Sequence, residues 1–160
     1  MPDLKTLLAS YDLAFLRDIA ELWGIETQAG DRRSVLIELS AAMASQQLFD
    51  EVFASLPHTA SAALTNLGGL GGRMAWQAFE RAYGELRPMG PARRKREKPH
   101  RFPQNTTEKL WYLGLIGRAA LRENQELSEF AFIPDEFLDW LPKPSRTDAE
   151  DNTSRQLPAW

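Results

Sequence analysis

The chain has 160 residues, 43% hydrophobic, 26% charged and 10% aromatic, with 19 Lys plus Arg against 22 Asp plus Glu and a net charge of -3. This is the composition of an ordinary globular protein with room for one domain, or two small ones sharing a core, and not that of a chain basic all over. With no cysteine and only His58 and His100 as imidazoles, disulfide scaffolds, thiolate metal sites, iron–sulfur clusters and thiol nucleophiles are excluded, and a Ser/His/Asp triad has almost nothing to build on.

The N-terminus, MPDLKTLLASYD, lacks the cationic lead and apolar run of a secretory signal. No window approaches the roughly 20 apolar residues that cross a bilayer, so a cytoplasmic location away from membranes is expected. Leu13, Leu16, Ile19, Ala20 and Trp23 recur at helical spacing, with Gly24 as C-cap and Ile25 as the apolar residue beyond it. Glu26 to Gly30 reads as a loop, and Asp31 caps a second helix carrying Val35, Leu36, Leu39 and Met43. A third helix is predicted from about Gln46 to Leu56, closed by Pro57.

A second unit begins near His58, where Thr59 is placed to cap a helix running to Leu67, before a break at Gly68, Gly69, Gly71 and Gly72. Met74 to Tyr83 reads as helix, ended by Gly84. Glu85 to Asn105 holds four of the ten prolines and no periodic apolar pattern, which predicts a long loop. Thr106 or Thr107 opens a helix, TTEKLWYL, with Glu108 near its positive end, and Gly114 ends it. Leu115–Leu121 and Leu127–Ile133 are predicted as a hairpin around a polar turn, and Asp135–Leu141 as a short helix after Pro134. These readings divide the chain into a helical unit over 1–56, a second domain over 57–142, and a polar tail or linker over 143–160 that includes Trp160. The fold class expected is mainly α (α+β).

Helix, helix, helix and hairpin is the order of a winged helix-turn-helix, in which the third helix enters the major groove and the wing touches the backbone. The stretch LWYLGLIGRAAL followed by EFAFIP resembles the winged-helix segment of helicase-associated domains found beside XPB-type helicases. The N-terminal stretches LRDIAELWGI and SVLIELSAAM are similar to a SAP-like or Rho-N-like helix-loop-helix. Both resemblances imply binding to the backbone of DNA or RNA as an accessory module, with a helicase as one partner implied. The glycine cluster GGLGGRMAW follows a helix and lacks the Lys-Ser/Thr pair of a P-loop, so it reads as a turn.

The sharpest signal is charge. Between Arg87 and Arg101 lie Arg87, Arg93, Arg94, Lys95, Arg96, Lys98 and Arg101, seven cations; over Glu85 to Asn105 only Glu85 and Glu97 oppose them, so that stretch carries +5 and the rest of the chain -8. A dense cationic loop neutralises phosphates without reading sequence. It also suits a loop that pairs with acidic surface on the same chain or on a partner. His100 and Phe102 are candidates for stacking on an exposed base. Lys109, with Arg118 and Arg122 on the wing strand, would extend the track; Arg32 and Arg33, at a helix N-terminus, are the candidates in the first unit. Taken singly, each is also ordinary surface charge. Trp23, Trp76, Trp111 and Trp140 are expected in the core, Tyr112 outward, and His58 exposed. Asp135, Glu136 and Asp139 cluster on a short helix where the first two serve its dipole, so neither catalysis nor a cofactor or metal is expected. The function expected is non-enzymatic binding of nucleic acid, above all duplex DNA, accessory to transcription, repair or a helicase. The alternative is a protein–protein adaptor on a winged-helix scaffold.

Overall fold

A computed structural model describes residues 2–142; the predicted tail lies outside the described residues. The elements are α1 (Leu4–Ala9), α2 (Leu13–Trp23), α3 (Arg32–Met43), α4 (Gln46–Ala54), α5 (His58–Gly69), β1 (Arg73–Ala75), α6 (Trp76–Tyr83), α7 (Pro91–Glu97), α8 (Thr106–Tyr112), β2 (Gly117–Glu123), β3 (Glu126–Phe132) and α9 (Asp135–Trp140). The fold is mainly helical with one small antiparallel sheet, as the sequence predicts.

Local chemistry sets most helix starts. Asp3, Asp12, Asp31, Ser45 and Asn105 each accept a backbone N–H of the turn they precede, at 2.8 to 3.3 Å. At the end of α2, Gly24 adopts φ 68 and Ile25 N–H reaches back to the Ala20 carbonyl at 2.9 Å, the Schellman arrangement expected there. Pro57, without a side-chain cap, precedes α5; Thr59 lies inside the helix instead of capping it.

Several boundaries differ from the sequence reading. Helix α1 is additional: Leu4, Leu7 and Leu8 lie on one buried face after the Asp3 cap. Met74 and Ala75, predicted as the start of a helix, are strand together with Arg73, because the three residues pair with the edge of β3, Met74 opposite Ala131. Leu115 and Ile116 are core residues ahead of β2, which starts two residues later than predicted. The hairpin closes on only two residues, Asn124 and Gln125, both left-handed at φ 50 and 68, the geometry of a type I′ turn. The sheet order is β1-β3-β2, so β2 is an edge. From α5 through β3 the order is helix, strand, helix, helix, hairpin, with α7 inserted between α6 and α8.

The stretches 1–56 and 57–142 pack on one continuous core. Trp23 of α2 donates its indole N–H to the Leu113 carbonyl at 2.7 Å and stacks on Phe137 of α9 at 5.6 Å. Phe49 of α4 meets the same Phe137 at 5.0 Å. Helix α9 returns to the start of the chain, where Leu4 N–H donates to the Glu136 carboxylate at 3.0 Å. Trp76 is buried and Trp111 and Trp140 are half-buried against the core. Tyr112, expected outward, is buried and stacks on Phe15 at 5.5 Å. Among the described residues no helix is long and apolar enough to cross a membrane.

The left-handed Gln125 carries a steric penalty that glycine does not, partly offset by the greater freedom glycine has in the unfolded chain. Gln125→Gly is expected to raise stability by about 0.5 kcal/mol and Tm by about 2 °C, measurable by calorimetry.

Candidate nucleic-acid interface

The basic segment is folded, not an open loop. Pro91 presets the first turn of α7 and Ala92 to Glu97 are good helix formers, with Arg93 and Glu97 paired one turn apart. No residue of α7 is buried, so it has no apolar stripe to reveal it in the sequence. Seven residues make a marginal helix alone. Its hold on the body comes from Arg94, which pairs with Asp12 of α2 at 2.6 Å and lies over the Phe15 ring at 5.0 Å.

Both ends of the segment converge on Glu108 of α8, whose side chain is 0% exposed. Arg87 grips it in a fork, Nε to Oε2 at 2.8 Å and Nη2 to Oε1 at 2.7 Å. The backbone N–H groups of Arg87 and Gln104 donate to the same carboxylate, each at 3.0 Å. Asn105 completes the closure: its side-chain N–H donates to the Glu85 carbonyl at 2.8 Å while its oxygen caps α8. Burial works against the charge on Glu108, but Arg87 and the two N–H groups outweigh it and hold its carboxyl below the usual range.

Beyond α7 the chain is fixed to α2 a second time. Arg101 forks onto Glu21 at 2.8 and 2.6 Å, and His100, 5% exposed, meets the same carboxylate at 2.9 Å. Arg101 leads this environment, which pulls the Glu21 carboxyl down to about 2. Asp18, 3.7 Å from the His100 ring, is pushed the other way by burial. Between α2 and α7 runs an open groove of about 510 Å³. It is lined by five cations, Arg17, Arg94, Lys95, Lys98 and Arg101, against the carboxylates of Asp18 and Glu21, with Ala14, Pro91 and Ala92 as its apolar floor.

The twelve cations singled out by sequence divide evenly. Arg87, Arg93, Arg94 and Arg101 are paired as described. Arg118 pairs with Glu129 across the wing and lies over Trp76 at 4.8 Å. Arg32 donates to the Tyr11 carbonyl at 2.8 Å and to the Ala9 carbonyl, capping the end of α1. Lys95, Arg96, Lys98, Lys109, Arg122 and Arg33 have no ion-pair partner among the described residues, and only Lys95, Arg96 and Lys98 stand together. Lys98 sits at φ 49, ψ 59, left-handed, as the C-cap of α7. His100 is buried and engaged, not free to stack; Phe102, two residues on, is 68% exposed. Arg17 is a groove residue the sequence reading passes over, although it lies one turn before Glu21 on the outer face of α2.

The winged-helix expectation that α8 enters a major groove meets a covered helix. Thr107, Glu108, Leu110 and Tyr112 are buried and the remaining three residues are half-buried, because α2, α5 and α6 all pack on it. Among the described residues no group of three or more His, Asp or Glu is placed to hold a metal ion. No family model, curated protein or solved structure matches the chain.

Glu108→Gln keeps the shape but leaves Arg87 without its counter-charge. It is expected to cost about 3 kcal/mol in urea unfolding and to expose residues 88–103 to protease under native conditions. Glu21, depressed to about 2 in the fold against an ordinary 4.5, stabilises fully above pH 4.5 and ceases to as pH falls through 2. Urea midpoints measured between pH 4.5 and 2 should therefore fall less steeply in Glu21→Gln than in the parent.

Proposed function

We propose that the protein binds nucleic acid without catalysis, as an accessory to transcription, repair or a helicase, and that the exposed cations of α7 and its C-cap are its backbone contact. The observation that carries this reading is the row Lys95, Arg96 and Lys98, exposed together and unpaired among the described residues, while neighbouring arginines hold the helix in place. A cation cluster left free by its own fold gains from neutralising phosphates and releasing their counterions. Lys98 adds support: a lysine held left-handed costs about 1 kcal/mol or more, a cost glycine would avoid, and such strain collects where a side chain is needed.

One observation favours the alternative, a protein–protein adaptor. Helix α8 is covered, while Leu121 and Leu127 are exposed on the wing, at 40% and 65%. A complete absence of mobility shift with any DNA or RNA would support the adaptor.

Lys98→Gly separates stability from binding. Tm should rise by about 2 °C because the strain is relieved, while affinity for mixed-sequence DNA falls and the plot of log affinity against log salt becomes shallower by about one unit. Salt-independent binding by the parent between about 50 and 200 mM, or an unchanged slope in the variant, would count against α7 as the contact.

A further inference from the structure

Resting on that reading, we infer that the preferred nucleic acid is single-stranded and that it lies along the groove between α2 and α7, with a base stacked on Phe102. The groove is built of the parts a single strand needs. Its walls carry Arg17, Lys95 and Lys98, none of them in an ion pair among the described residues, to follow a flexible backbone. Arg94 and Arg101, which also line it, are held by Asp12 and Glu21.

The carboxylates in the groove do little to repel a phosphate. Glu21 is already paired with Arg101, Asp18 stands 3.7 Å from the His100 ring, and five cations outnumber the two. Phe102 directly follows the groove-lining Arg101; the backbone N–H groups of Phe102 and Arg101 bond to the Lys98 carbonyl at 3.2 and 2.9 Å, in one tight turn that leaves Phe102 68% exposed. An exposed ring next to a cationic track is the stacking platform of proteins that bind single strands, because every base has a face to stack and no groove need be read. Helix α8, the element a winged helix would set in a duplex major groove, has no fully exposed side chain to offer.

The test is fluorescence anisotropy of the full chain with labelled oligo-dT and oligo-U of about 15 nucleotides and with a mixed-sequence DNA duplex of the same length. Tighter binding of the single strands, lost about tenfold in Phe102→Ala while duplex binding stays unchanged, is the expected result. Phe102 is exposed enough that its removal leaves the fold intact, which circular dichroism would verify. Duplex binding equal to or tighter than single-strand binding, or a Phe102→Ala variant that binds single strands like the parent, would overturn the inference while leaving α7 as a backbone contact. No binding to any of the three would overturn both.

Discussion

Everything distinctive about this protein depends on one buried carboxylate. Glu108 belongs to α8 by sequence but serves the segment before it, taking the backbone N–H of Arg87 and of Gln104 and the fork of the Arg87 guanidinium. A buried carboxylate is costly unless its oxygens are saturated, and here four donors saturate it. The chain between those two N–H groups is thereby closed into a loop with fixed ends. The closure helps to hold seven cations in a stretch whose helix, α7, buries no residue of its own.

Charge is used twice in this fold. Arginine, with its planar fork, is spent on internal pairs: Arg87 on Glu108, Arg94 on Asp12, Arg101 on Glu21. Arg96 is the exception, and it and the two lysines of the segment are left facing water. The acidic residues that make the remainder of the chain strongly negative are in part the seat of the basic segment, so the surface α7 presents is more positive than the total charge of -3 implies. Both readings of the cationic run, a phosphate contact and an internal pairing with the chain's own acids, find a place, on different side chains of the same helix.

Where apolar periodicity or a cap speaks, the sequence is legible. The face Leu13, Leu16, Ile19, Ala20, Trp23 and the Gly24 cap can be read residue by residue, as can the Asp31 cap and the two strands of the wing. Helix α1 is equally readable from Leu4, Leu7 and Leu8 after Asp3. By contrast α7 is written only in Pro91 and in strong helix formers, a weaker signal than burial, and β1 exists only because β3 offers it an edge. The site divides the same way. The cations are plain in the sequence, but which are free depends on Asp12, Glu21 and Glu108, which lie far from their partners in the chain or on the far side of a long loop. The roles of Arg17 and His100 follow from the docking of α7 on α2, which no local pattern encodes.

The position of α9 bears on how the molecule is made. Phe137 stacks on Trp23 and packs on Phe49, and Glu136 reaches Leu4 across 132 positions of sequence. Helices α1 to α4 emerge first from the ribosome, and although α1 and α2 pack on α3, the aromatic cluster of Trp23 and Phe49 is completed only when residues 135–140 are synthesised. Such long-range closure delays the fall in chain entropy and slows folding relative to a simple helical bundle.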